Sequence, residues 1–426
     1  MRLWLIPLAY VIVSTVCGFT LPRLEHAYLS GYEFDIAVGS AQAYLSAIAS
    51  GMMALTGIVF SIAFVMVQFS AIAYSPRLVL WFARDPSLYH SLGVFIATFI
   101  YSLATLAWVD RKGSGQVQVL SGLVVAALLV ASMLLFARMV QRLNDLQITS
   151  VLKMVGDGGR AVIRDMFQRL DEMPAGGQQA LQSPGDLGPV TQTVTYSGPP
   201  RIIAELDIRR LVRQAQQRDA VIALASAVGD TIIDGSPLLA VHGGGPIPEK
   251  DLLRAIQLTG ERTFEQDPKY PLRLLVDIAI KALSPAINDP TTAVQAIDQI
   301  EDLLRRLGRR ELDAGYAHDA DGKLRLVYPM PTWEDYLTLA FDEIRQYGAT
   351  SVQVMRRLRS TLIELAAIQT DAARAEAVHR YLKYLDLSID ASPFSAEDRI
   401  KARQEDRQGL GLTRKRAEPK TPAARP

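Results

Sequence analysis

The side chains with the clearest chemical potential lie between Arg262 and Thr292. Arg262, Asp267, Asp277, Asn288, Asp289, Thr291 and Thr292 gather there, around the string Ala282-Leu283-Ser284-Pro285-Ala286-Ile287-Asn288-Asp289-Pro290. Three readings are open. Free amides at the start of a helix opening near Pro290 could hold an anion such as a phosphate group, with Arg262 as the counter-charge. Asp277, Asn288 and Asp289 could instead hold a cation. The third reading is structural: Pro285 stops one helix, Asp289 caps the next, and Pro290 sits in a first turn where its missing N–H does no harm.

Elsewhere the pattern excludes more than it suggests. His26, His90, His242, His318 and His379 are scattered without metal-type spacing, and neither a P-loop nor a dinucleotide fingerprint occurs. His242-Gly243-Gly244-Gly245 has the letters of an oxyanion loop, but the chain has no G-x-S-x-G elbow, so it reads as a flexible strand exit. The single cysteine, Cys17, can form no intrachain disulfide and no thiol metal site. With 45 basic and 44 acidic residues, the net charge of +1 gives no bias toward nucleic acid. No cofactor is indicated, and an enzyme is not the favoured reading.

The elements that would carry such residues divide sharply at about Arg138. Before it, four apolar runs are long enough to cross a bilayer, at about residues 3–21, 44–73, 88–109 and 117–137. The first competes with a cleaved signal peptide, but no small-x-small cleavage site follows it, so a retained anchor is expected. The second carries no charged side chain from Tyr44 until Arg77. Basic residues place the N-terminus and everything from Arg138 onward in the cytoplasm: Arg2, Arg77, Arg84, Arg138, Arg142, Lys153 and Arg160 outweigh Arg23, Arg111 and Lys112 on the other side.

The second span also carries a polar stripe. Gln42, Ser46, Ser50, Gly57, Ser61 and Gln68 recur at steps of four or seven and share one helix face. Such a face suits close helix packing or the lining of a water-filled path in a homo-oligomer. No ionisable residue falls inside the expected spans, which argues against a proton relay or a coupled transporter.

After the spans, residues 138–170 read as an amphipathic helix broken at Gly156-Asp157-Gly158-Gly159, and 171–200 as a flexible loop. An α+β domain is expected over 201–390. A small β-meander opens it, with strands at Arg201–Asp207, Val221–Leu224, Thr231–Ile233 and Leu238–Val241 and a helix capped by Asp207 between the first two. Helices follow from Pro248 to Thr259, Pro271 to Leu283 and Ala293 to Leu307, then a hairpin at Asp321-Gly322, then helices from Trp333, Ser351 and Ala372. Residues 391–426 give a short helix capped by Ser395 and a disordered basic tail from Gln408.

These residues carry a resemblance. Leu55-Thr56-Gly57-Ile58-Val59-Phe60-Ser61, Ser75-Pro76-Arg77, Leu92-Gly93-Val94-Phe95 and, above all, Asp277-Ile278-Ala279 with Ala282 to Ala293 are similar to the bacterial predicted-membrane-protein family catalogued as domain of unknown function 2254. The likeness spans about residues 5 to 390, and Gly198-Pro199-Pro200-Arg201 departs from the Gly-Tyr-Val that the family tends to place there. The resemblance implies a bacterial inner-membrane protein and brings no reaction with it. The expected partners are the lipid bilayer and further copies of the chain. Three functions stay open: an oligomeric channel or permeation path with a cytoplasmic gating or assembly domain, a membrane-anchored ligand sensor with a polar pocket at the Asn-Asp-Pro turn, and a scaffold.

Overall fold

The computed structural model describes residues 3–28, 36–73, 86–111, 117–145, 147–170, 187–312 and 315–412. Arg77, Arg84, Lys112, most of the expected 171–200 loop and the tail from residue 413 lie outside the described residues. The chain divides into two compact units, Met1–Val151 and Leu152–Pro426.

Among the described residues, the first unit has four apolar helices: α1 (Leu5–Tyr28), α2 (Val38–Ala73), α3 (Pro86–Leu106) and α4 (Val119–Asp145). Each contains a stretch long and apolar enough to span a membrane. α1, α2 and α4 overrun the expected spans at one end, whereas α3 stops at Leu106. α1 continues past Leu21 through Pro22 and Glu25, and α2 begins at Val38 rather than Tyr44. Hydropathy locates the hydrocarbon-crossing part, whereas backbone hydrogen bonding runs on until something stops it.

α3 is the central helix, packing against α1, α2 and α4. Small residues permit the approach: a Cβ on Gly93 would come within 2.4 Å of the Tyr10 ring, and one on Gly18 within 2.6 Å of the Ala104 side chain. The face of α3 buried in the bundle is partly polar, with Ser91, Thr98, Ser102 and Thr105 enclosed. Thr98 and Ser132 hydroxyls meet across α3 and α4 at 3.1 Å, a contact that fixes rotation where apolar packing alone would not.

In the second unit, α5 (Ile148–Met166, from Leu152 onward) runs unbroken through Gly156-Asp157-Gly158-Gly159. This corrects the expected break. The glycines are contact points: a Cβ on Gly156 would lie 2.2 Å from Gln299 Oε1, and one on Gly159 2.7 Å from a Leu303 methyl. Both partners belong to α9 (Pro290–Leu307). Gly at these positions costs helix propensity and gains close helix–helix approach.

The β region is two sheets rather than one meander. β1 (Val190–Thr195), β5 (Pro237–His242), β3 (Val221–Leu224), β8 (Leu324–Val327) and β7 (Tyr316–His318) lie in that order, with β3 and β8 parallel. A second sheet has β4 (Thr231–Ile232), β2 (Arg201–Leu206) and β6 (Ile256–Thr259). Two strands fall where other structure was expected. β1, in the region read as loop, has the β-branched sequence VTQTVT and pairs with β5. β6 replaces the end of the helix read over Pro248 to Thr259; only α7 (Glu249–Leu253) is helical, and Ile256 to Thr259 takes the free edge of β2. α6 (Ile208–Gln217), capped by Asp207, buries Leu211 and Ala215 in a core shared with both sheets.

The rest is helical: α8 (Lys269–Ala282), α9, α10 (Trp333–Tyr347), α11 (Val352–Ile368), α12 (Ala372–Ala391) and α13 (Ala396–Ala402). A buried ion cluster ties α9 to α11. Arg357 donates to Glu301 at 2.6 Å and to Asp298 at 2.8 Å, with the Glu301 and Arg357 side chains only 8% and 7% exposed. The start of the expected disordered tail is strapped down: Arg356 donates to Gly411 O, and Asp406 accepts the backbone N–H groups of Gly409 and Gly411.

Candidate functional site

Within the first unit, α2 buries Ala41, Leu45, Ile48, Ala49, Met52, Val59 and Ala63. Gln42, Ser46, Ser50, Gly57, Ser61 and Gln68 are all exposed, and nothing approaches the Cβ position of Gly57 within 4 Å. Among the described residues, the polar stripe therefore takes no part in packing between helices. Met53, Phe60 and Phe64, also exposed, lie on the same side of the helix. Ser61 turns its hydroxyl back to Gly57 O at 3.0 Å, which leaves its oxygen lone pairs facing outward.

The residues from Arg262 to Thr292 engage different partners. Asp289 caps α9, accepting from Thr292 N–H at 3.1 Å and from the Thr292 hydroxyl at 2.6 Å. Its carboxylate is thereby committed to the helix start, where negative charge is favoured. Asn288 precedes it in the left-handed region (φ 48°) and is exposed, as is Thr291. Asp277 is drawn to Arg273 at 2.6 Å, and Arg273 also reaches Glu343 at 2.6 Å, joining α8 to α10. Arg262 is exposed on the loop before α8.

Asp267 stands apart. It is 2% exposed, its Oδ1 accepts from Lys269 N–H at 3.1 Å, and its Oδ2 has no hydrogen-bond partner. A Cβ on Gly229 (φ 88°) would lie 2.3 Å from that Oδ2, so the Gly229-Asp230 turn closes directly over the carboxyl group. Burial pushes the Asp267 carboxyl above its ordinary range, although the charges of Lys269 and Arg262 pull the other way. The Tyr336 hydroxyl, itself buried without a partner, is raised by burial and further by the Asp267 charge. Gln266 fixes this loop by pairing its amide with both Leu206 N–H and Leu206 O.

One group escaped the sequence reasoning. Glu25, beyond the expected first span, reaches from α1 to the start of α4, where Oε1 accepts from Leu120 N–H at 2.6 Å and Oε2 from Ser121 N–H at 2.9 Å and the Ser121 hydroxyl at 2.7 Å. A carboxylate at a helix start satisfies orphan amides and the helix dipole together. The signal available in sequence was a lone acid one turn past an apolar run, which does not name its target. Near this end of the bundle the Arg23 and Arg111 guanidiniums stack on Trp108, at 5.5 and 4.0 Å from the ring centre. That is the placement of an aromatic at a membrane boundary.

A family model described as "Predicted membrane protein (DUF2254)" matches residues 1–364. The chain belongs to this family. Among DUF2254-like relatives, the uncharacterized protein Rv1290c of Mycobacterium tuberculosis is 26% identical over 390 residues, covering 88% of this chain and 74% of its own. The uncharacterized protein Mb1321c of Mycobacterium bovis matches to the same extent. No solved structure matches the chain. As a DUF2254 member the chain is a membrane protein with four apolar helices followed by a mixed helical and small-sheet part.

Proposed function

We propose that this DUF2254 protein sits in the bacterial inner membrane with both termini in the cytoplasm, assembles as a homo-oligomer through the polar face of α2, and uses that face to border a permeation path. The second unit then acts as its assembly or gating domain. The observation that carries this reading is the outward direction of the stripe from Gln42 to Gln68. Facing hydrocarbon, glutamine amides would lose hydrogen bonds that a neighbouring copy or a wet lumen restores. The test is the mass of the detergent-purified particle together with ion flux after reconstitution into liposomes. A symmetric oligomer whose flux changes on Ser61→Leu and Gln68→Leu supports the reading; a silent monomer ends it.

A ligand-sensing role has one observation of its own, the buried Asp267 with its unpartnered oxygen close to Tyr336. The Asn-Asp-Pro turn favours it less, because Asp289 and Thr292 satisfy each other.

A further inference from the structure

The buried polar face of α3 follows a rule with one exception. Ser91, Thr98 and Ser102 each donate to the carbonyl four residues earlier, at 2.9, 2.8 and 2.7 Å. This is the cheap way to hide a hydroxyl inside a helix bundle. Thr105, fully buried, does not: its Oγ1 has no partner. One turn earlier on the same face, Tyr101 is 1% exposed and its hydroxyl is also unpartnered. That hydroxyl lies beside those of Ser121 and Thr105, within range of the Glu25 charge, without a hydrogen bond of acceptable geometry to either hydroxyl. Gln118, 6% exposed and one turn before Ser121, has an unpartnered Oε1 as well.

Three enclosed oxygens without partners at one end of a membrane bundle are expensive, because no bulk water is there to satisfy them. The donors assembled are mainly oxygen: phenol, two hydroxyls, an amide carbonyl and a carboxylate, with the Cys17 thiol also within range of the Tyr101 hydroxyl. One thiol among five oxygen groups, and no nitrogen donor in the set, suits a hard cation better than zinc or copper. Glu25 brings the negative charge. Its contacts with Leu120 and Ser121 leave lone pairs on the carboxylate, which can accept at about four positions. The two nearby guanidiniums are held against the faces of Trp108, and both arginines are exposed.

We propose that Tyr101, Thr105, Gln118, Ser121 and Glu25 form a binding site for a hard, oxygen-coordinated cation between α1, α3 and α4. The site is distinct from the outward stripe of α2 and does not depend on assembly. Glu25 supplies the charge and is held at the start of α4, Ser121 donates to the carboxylate and lies beside the Tyr101 hydroxyl, and Thr105 and Gln118 supply neutral oxygens. An ion there pins α1 and α4 to the central helix.

The test is thermal unfolding of the full chain in detergent, in choline chloride, with sodium, potassium, lithium, magnesium or calcium chloride titrated in at constant ionic strength. The expected result is a saturable rise in the melting midpoint for one of the alkali or alkaline-earth ions, with half-saturation weakened by roughly 10-fold or more in Thr105→Val and Tyr101→Phe. A response confined to monovalent or to divalent ions identifies the charge class. If the wild-type midpoint is the same in choline as in every metal salt, the oxygens are satisfied by water and the proposal is overturned. An unchanged response in both variants overturns it equally. Should a variant fail to fold, the wild-type titration alone decides.

Discussion

Arg357→Met would break the buried ion cluster between α9 and α11, and the structure sets the size of the loss. The Glu301 carboxylate, in a side chain only 8% exposed, would lose its 2.6 Å partner, while Asp298, nearly half exposed, can turn to water. Removing one member of a buried pair costs about 3–5 kcal/mol. Arg305, 3.6 Å from Glu301 and 40% exposed, offers partial replacement and pulls the expected loss toward the lower end. At about 2–4 °C per kcal/mol for a large domain, the melting midpoint falls by roughly 6–20 °C. The assay is tryptophan fluorescence of the detergent-solubilised chain during heating, with buried Trp333 on α10 as the reporter of the second unit. Arg357→Met combined with Glu301→Leu should recover most of the loss, because replacing a whole buried pair with apolar groups is close to neutral or stabilising. A single variant that shifts by only about 2–4 °C, near 1 kcal/mol, or a double variant as damaged as the single, would refute the view that burial makes this pair obligatory.

Two further outcomes follow from the loop and the turn. Because burial raises the Asp267 carboxyl above its ordinary value of 3.8, the wild-type chain loses stability as pH rises through that raised value. Asp267→Asn should therefore match the wild type below pH 3.8, become the more stable as pH rises through the raised value, and keep a constant advantage above it; a pH-independent difference would contradict the assignment. Asp289→Ala removes the cap of α9 and should lower stability by about 0.5–2 kcal/mol, with faster amide exchange at Thr292, whose N–H it now holds. Exchange unchanged from wild type would show that the cap is not what protects that amide.

Local chemistry made several of these features legible in advance. Asp207, Asp289 and Ser395 cap helices where short polar side chains precede them, because a cap needs only the N–H groups two or three residues on. The Asp321-Gly322 turn joins β7 to β8 for the same reason. Spacing misled wherever the partner was distant. Gly156 and Gly159 look like helix breakers until Gln299 and Leu303 are seen against them. Ile256 to Thr259 reads as the end of a helix until the edge of β2 claims it. Asp267 and Asp277 look like neighbours in one polar pocket, yet one is closed over by Gly229 and the other is drawn to Arg273.

The sequence by itself determined that this is a membrane protein of the DUF2254 family with four apolar helices and a mixed helical and small-sheet part, because transfer of long apolar runs into hydrocarbon and short-range capping are properties of contiguous residues. Only the tertiary structure decided which way each face points. The direction of the α2 stripe depends on which side α3 covers, and the meeting of Glu25 with Ser121 joins helices 96 residues apart. Such contacts are set by how helices rotate against one another, a quantity that no local spacing encodes.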